Sequence, residues 1–393
     1  MSRLILMAGA FGFGNLGDDA IALATSRLLA ETAVDTQTVI LGNTRVAIRR
    51  FTGLDGARLS WRSPRQTARL IALIRRSSAV LIGGGGLLQD VLPHFYRPYL
   101  LLAVVAKALR RPVMFYAVGV HPPRTSVFRQ TLRLAANAVD VVTVRDEFSA
   151  RNLRRAGVRR DVTVTADAAI VMAADGPAER ASKKTLIGVS LRPWFHLDPI
   201  RRGGDPARLV DSLAQCLDAV VEAAGARLLF VPLQHGGADD DVASQREVIS
   251  RMRYAHETDT ATCHTPFDAV AAISHCDIVL GMRLHSNVLA AACGVPSIAI
   301  AYDPKVREFM KRLHCEEQVV GLDELRPAEV ATRVRAALES RDEIKERIRP
   351  HVEEMQASAR ECAAMAARLA GATLLPSWLR SGDNDATACQ EAA

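Results

Sequence analysis

Leu4-Ile5-Leu6-Met7-Ala8-Gly9-Ala10-Phe11-Gly12-Phe13-Gly14-Asn15-Leu16-Gly17-Asp18-Asp19-Ala20 decides the fold. The apolar run from Leu4 to Gly9 has the length of a buried strand, and glycines then break it. From Asp18 to Ala30 the chain continues as an amphipathic helix rich in Ala and Leu. Strand, glycine turn and helix form the first half of a βαβ unit, in which a crossover helix covers a parallel strand. The alternation repeats downstream. Thr38–Leu41, Ala79–Ile82, Val113–Val118 and Val141–Val144 read as strands, and Pro64–Arg76, Pro98–Leu109 and Val127–Ala138 as helices.

Around Ala173 to Lys184 the sequence turns polar and loses its periodicity, which marks an interdomain linker. A second series follows. Thr185–Ser190, Arg227–Pro232, Asp277–Leu280 and Ser297–Ala301 read as strands; Pro206–Ala224, Asp239–Met252, Pro266–His275 and Ser286–Ala292 read as helices. The expected class is α/β, with two Rossmann-like doubly wound domains facing a cleft in a GT-B-like arrangement. Residues 1–175 form the first domain and 185–345 the second. Residues 346–393 add a C-terminal helix and a polar tail. In open α/β sheets ligands bind beyond the carboxyl ends of the strands, so the loops after strands are where function should lie.

Bulk properties narrow the class. With 393 residues the chain exceeds the size at which a single core stops growing, and 49% hydrophobic content built mainly from Ala, Leu and Val suits helices on buried parallel strands. The apolar run at the N-terminus is too short for a signal peptide, and no stretch has the length of a spanning helix. Seven cysteines lack metal-ligand spacing and read as reduced thiols. The expected location is cytoplasmic, with peripheral contact at the inner membrane face left open. The net charge of +7 is carried by arginine, which outnumbers lysine roughly seven to one. Solvated helix faces account for such charge, and so does a face turned to anionic lipid or to a lipid-diphosphate substrate. Nucleic acid is not expected as a partner, because no binding module accompanies the charge.

Gly12, Gly14 and Gly17 complete a GxGxxG between strand and helix. Asp18 and Asp19 follow, at the helix N-terminus where a dinucleotide pyrophosphate would sit, and they would repel it. They serve either as helix caps or as contacts to a sugar hydroxyl, where one of them would act as a base. A second glycine run, Gly83 to Gly86, either offers amide donors through Gly84 and Gly85 or packs as a tight turn. Arg283, His285, Ser286 and the helix they open combine a fork of donors, a group that titrates near neutrality and free amides. Arg145, Arg192 and Lys305 end other strands, and cations converging on one cleft imply a ligand with more than one negative group.

Six segments then appear in order: GFGNLGDDA at Gly12, GGGGLLQD at Gly83, VTVRDEFSA around Arg145, GVSLRPW at Gly188, GMRLHS at Gly281 and IAYDPKV at Ile300. Together they resemble the polysaccharide pyruvyltransferases, specifically the bacterial CsaB type, over roughly residues 3 to 340. The resemblance implies phosphoenolpyruvate as donor and a lipid-linked cell-wall glycan, with N-acetylmannosamine, as acceptor. It also implies a product that anchors surface-layer proteins. The acceptor is expected on the first domain and phosphoenolpyruvate on the second, and no metal or organic cofactor is expected, because the cations already neutralise the donor. Matching motifs places the family's functional positions on Arg145, His285 and Lys305, with Arg283 beside them. Asp19 departs from the family's GDE pattern, where Glu is commoner. Catalytic roles are expected for His285, Arg145, Lys305 and Asp18, and substrate contacts for Arg283, Gly12, Gly14, Asn15, Gly17, Asp19, Gly84, Gly85, Arg192 and Ser286. The rival expectations are a GT-B glycosyltransferase or sugar-nucleotide epimerase and a non-catalytic membrane-surface scaffold. Oligomeric state is left open.

Overall fold

The computed structural model describes residues 2–91, 95–173, 184–193 and 206–375. Most of the expected linker, Trp194 of the GVSLRPW segment and the tail from Pro376 lie outside the described residues.

The first sheet contains seven parallel strands: β1 (Arg3–Ala8), β2 (Thr36–Gly42), β3 (Gly56–Arg58), β4 (Ala79–Gly83), β5 (Val113–Val118), β6 (Val141–Val144) and β7 (Val162–Val164). Their order is β3-β2-β1-β4-β5-β6-β7. The helices are α1 (Leu16–Thr32), α2 (Arg45–Thr52), α3 (Pro64–Arg76), α4 (Arg97–Ala108), α5 (Ser126–Ala138) and α6 (Glu147–Arg155). The second sheet, ordered β10-β9-β8-β11-β12-β13, is built from β8 (Leu186–Ser190), β9 (Arg227–Phe230), β10 (Thr258–Thr260), β11 (Ile278–Gly281), β12 (Ser297–Ala301) and β13 (Val319–Gly321). Its helices are α7 (Pro206–Ala224), α8 (Asp241–Ile249), α9 (Pro266–Ser274), α10 (Leu284–Ala292), α11 (Pro304–Arg312) and α12 (Pro327–Glu339), and α13 (Arg341–Leu369) closes the described chain. The two doubly wound sheets expected from the sequence are therefore present.

Strands β1, β4, β5, β8, β11 and β12 are buried almost throughout, which is why they read as unbroken apolar runs rather than alternating ones. One core lies under α3 to α6. The opposite face of the first sheet, covered by α1 and α13, merges with the core of the second domain. The long α13 spans both. It begins beside α12 and then lays Met355, Ala359, Cys362, Ala363 and Ala366 along the first domain against α1, β4 and β5. Small residues on that face let the two helices approach closely. No described helix is long and apolar enough to cross a membrane.

In each sheet the order reverses once, between β1 and β4 and between β8 and β11. The crevices beyond these reversals are where a doubly wound sheet takes a ligand. The loops after all four strands meet at one place.

Candidate functional site

The loop after β1 is stitched to the second domain through its backbone. Leu16 N donates to Leu233 O at 2.8 Å, His235 N to Gly14 O at 2.9 Å, and Gln234 Nε2 to Phe13 O at 3.1 Å. Two of the GxGxxG glycines are needed for this approach. A Cβ on Gly14 would stand 2.4 Å from His235 O, and one on Gly17 would stand 2.1 Å from His285 Nδ1. These glycines admit the partner domain to the loop.

Neither aspartate caps α1. Asn15 does, its side chain accepting from Gly17 N and Asp18 N at 3.1 and 3.3 Å. Asp19 is fully buried and accepts from Gly12 N at 2.7 Å, so it braces the loop and faces away from substrate. Burial and the adjacent Asp18 push its carboxyl up to about 7, against the opposing bond from Gly12. Asp18 instead lines the cleft. Burial raises its carboxyl above the ordinary value, although His285, Arg145 and Lys305 pull the other way.

The second glycine run is a packed turn. Gly85 has φ +75°, and a Cβ there would lie 2.3 Å from Asp18 Oδ1, while one on Gly84 would meet Ile21 at 2.7 Å. These two glycines hold up the Asp18 loop, and it is Gly86, Leu87 and Gln89 that line the cleft.

The arginines expected as donors to a ligand are engaged by carboxylates of the protein itself. Arg283 is buried with its fork closed on Asp241 (Nε to Oδ2 2.7 Å, Nη2 to Oδ1 2.6 Å), and it also reaches the carbonyl of Asp239. Those carboxylates push its guanidinium pKa further up despite burial. Arg192 donates to both oxygens of Asp239 and to Tyr302 Oη at 2.9 Å, with its guanidinium over the Tyr302 ring. Ser286 is buried and donates to Arg283 O at 2.6 Å; it neither caps α10 nor lines the cleft. Arg283 and Arg192 are thus balanced by internal carboxylates, and their presence alone does not call for a polyanionic ligand. We expect Arg283→Lys, which keeps the charge but loses the planar fork, to cost roughly 1–2 kcal/mol of stability, read as a lowered Tm. An unchanged Tm would show that the fork contributes nothing.

The catalytic candidates converge. Asp167, in the loop after β7, accepts from Arg145 Nη1 at 3.1 Å, and the same oxygen lies 3.4 Å from His285 Nε2. Burial would raise Asp167, but His285 and Arg145 outweigh it and hold the carboxyl at about 2. Arg145 also has Asp146 at 3.4 Å. Arg312 of α11 donates to the carbonyls of Arg145 and Thr165 at 2.7 and 2.8 Å, tying the second domain to the same strand ends. Across the cleft His121 Nε2 stands 3.4 Å from Asp303 Oδ2. Asp303 caps α11, and despite burial Lys305 and His121 hold its carboxyl well below the ordinary range.

Lys305 differs from the arginines. Its ammonium sits 5.2 Å from the centre of the Tyr302 ring, and among the described residues no carboxylate lies within 4 Å of it. Burial would raise the Tyr302 phenol, but Lys305 and Arg192 outweigh it and lower its pKa. The cleft that Lys305 shares with Asp18, Arg145, His121 and His285 holds about 1480 Å³, its mouth included. A second pocket lined by Arg145 and Lys305 holds only about 20 Å³, room for little more than one water. The structure therefore brings Asn15, Asp18, Arg145, Arg192, Arg283, His285 and Lys305 to one cavity and leaves Gly84, Gly85, Asp19 and Ser286 behind its walls. His121 and Asp303 join them without having been singled out as site residues, and Asp167, likewise not singled out, lines the small adjoining pocket beside Arg145.

Residues 15–304 match the family described as polysaccharide pyruvyl transferase. The amylovoran biosynthesis protein AmsJ of Erwinia amylovora is 21% identical over 297 residues, covering 72% of this chain and 70% of that protein. Among solved structures, a putative UDP-N-acetylglucosamine 2-epimerase from Listeria monocytogenes superposes with a TM-score of 0.62 at 11% identity, covering 94% of this chain and 96% of the other. Anabaena HepE in complex with UDP-glucose gives 0.59 at 15%, covering 94% and 98%. At these identities the structural likeness speaks for the GT-B type of fold alone.

Proposed function

The chain belongs to the polysaccharide pyruvyl transferase family, and on that premise we propose that it moves the enolpyruvyl unit of phosphoenolpyruvate onto a sugar of a lipid-linked cell-wall glycan. N-acetylmannosamine is the acceptor sugar in this proposal. The observation that carries the donor assignment is Lys305: an ammonium with no carboxylate of its own among the described residues, in a cavity that also holds Arg145, His285 and Asp18. A cation with no carboxylate in direct contact favours an anionic ligand, and phosphoenolpyruvate offers a phosphate and a carboxylate.

In the proposed reaction the methylene carbon of the donor takes a proton and C2 becomes electrophilic. One sugar hydroxyl adds to C2, its oxygen forming the first ketal bond and its proton passing to the protein. A second hydroxyl then displaces phosphate: the C2–O–P link breaks at C2, the second ketal bond forms, and the proton leaves with phosphate. His285 donates the proton, either to the methylene or to the departing phosphate. Asp18, whose carboxyl burial raises above the ordinary value, exchanges a proton with the attacking hydroxyl. Arg145 and Lys305 offset the charge of the donor. Asp167 orients His285 and Arg145 through one oxygen.

Phosphate release from phosphoenolpyruvate, measured with and without an N-acetylmannosaminyl-N-acetylglucosamine lipid mimic and followed by mass spectrometry of the acceptor, tests this. Acceptor-dependent release with a mass gain of one pyruvyl ketal is expected. No release, together with tight binding of a sugar nucleotide, would overturn it in favour of glycosyl chemistry.

A further inference from the structure

The three helices α3, α4 and α5 contain no aspartate or glutamate, yet they carry Arg65, Arg69, Arg75, Arg76, Arg97, Lys107, Arg129 and Arg133. All three bury their inner faces in the same core, on the side of the first sheet away from α1 and α13, and α4 and α5 pack side by side. Of the eight cations only Lys107 has a carboxylate partner, Asp140, among the described residues. The outward faces are not uniformly polar. Leu101 and Val104 on α4 are 43% and 54% exposed, and Val127 and Leu134 on α5 are 57% and 68% exposed. Within each helix the spacings of three and seven residues set both side chains on one face. Half of the eight large apolar side chains exposed among the described residues lie on these two helices.

From this combination we propose that the α3–α5 layer is a docking surface for an anionic lipid bilayer. Shallow apolar side chains enter the headgroup boundary while an acid-free arginine layer meets the lipid charge. An acidic protein would supply no apolar boundary for four unpartnered aliphatic side chains, and nucleic-acid binding favours aromatic stacking over aliphatic exposure. The placement also relates to the cleft. α4 begins at Arg97, two residues after Phe95, and α5 at Ser126, five residues after His121. Both Phe95 and His121 line the cavity, so the N-terminal ends of the docked helices lie near the mouth of the cleft. A lipid-tethered glycan would then reach the site without leaving the membrane. That last step rests on the proposed acceptor; the docking itself does not.

Flotation of the full chain with phosphatidylcholine vesicles, with and without phosphatidylglycerol, tests the surface. Binding is expected only to the anionic vesicles, and it should weaken steeply with salt. The double variant R129Q/R133Q should lower the partition coefficient roughly 30-fold, at about fivefold per arginine. L101S/V104S should lower it at both low and high salt. All four positions are solvent-exposed, and circular dichroism confirms folding of each variant. Hydrolytic phosphate release and turnover of a lipid-free acceptor should stay at the parent level in both, so failure of the docking and failure of the transferase proposal are told apart. Equal binding of parent and variants, indifference to lipid charge, or dimerisation that disappears with L101S/V104S would overturn the proposal.

Discussion

A His285→Ala protein releases phosphate from phosphoenolpyruvate roughly 10²- to 10⁴-fold more slowly than the parent, the range typical of a lost general acid, while donor binding remains measurable. The reasoning is geometric. His285 opens α10 and packs against Gly17 of the opposite domain, with Nε2 3.4 Å from Asp167. Phosphate recognition in the proposed site falls to Lys305 and Arg145, which the substitution leaves in place. The loss should therefore fall on kcat, with KM for the donor little changed. His285→Gln separates the two roles the residue could have, since it keeps a polar contact toward Asp167 but cannot carry the proton. Inactivity of both variants with intact donor binding supports proton transfer. Recovery of activity in His285→Gln would make His285 a positioning residue, and full activity in His285→Ala would remove it from the chemistry.

The convergence of Arg145, His285 and Lys305 was legible in the sequence because each follows an apolar run long enough to be read as a strand. Beyond the carboxyl ends of parallel strands, positions far apart in sequence come together. Asp167 was not legible for the complementary reason. Its strand β7 has three residues, is half-exposed at the sheet edge, and offers neither an apolar run nor an alternation to read. The edge strands β3, β10 and β13 are equally short and went unread, as did α2, α6 and α11. The arginines failed differently. Arg283 and Arg192 were visible as motif residues, but their counter-charges Asp241 and Asp239 lie 42 and 47 positions away, in and just before α8. Nothing local marks such a pair, so charge that is internally balanced looked like charge awaiting a ligand. The glycines were legible as constraints but not as to what constrains them. Close approach was read only at Gly84 and Gly85, with a ligand as its object; at Gly14 and Gly17, where it went unread, the object approached is the other domain.

Asp19 leads to the second large effect, and it concerns stability against pH. The carboxyl is fully buried, has Gly12 N as a partner for Oδ1, and leaves Oδ2 with no hydrogen-bond partner among the described residues. Burial, reinforced by the charge of Asp18, moves it from an ordinary value of 3.8 to about 7. Between these values the folded protein keeps a proton that the unfolded chain has released. Stability tied to this group is therefore fully present below about pH 4, declines as pH rises, and levels off above about pH 7, for a total of about 4 kcal/mol. Asp19→Asn removes the titration while its carbonyl still accepts from Gly12 N. Its amide nitrogen inherits the unpartnered position of Oδ2, a cost that does not vary with pH. The parent should thus be the more stable protein at pH 5, and between pH 5 and pH 8 the difference should move by about 3 kcal/mol in favour of the Asn variant. Urea denaturation of both proteins at the two pH values measures it. A difference that stays the same at both would mean that Asp19 is ionised in the fold, with its charge held by the loop of Gly12 to Gly17 rather than suppressed by it.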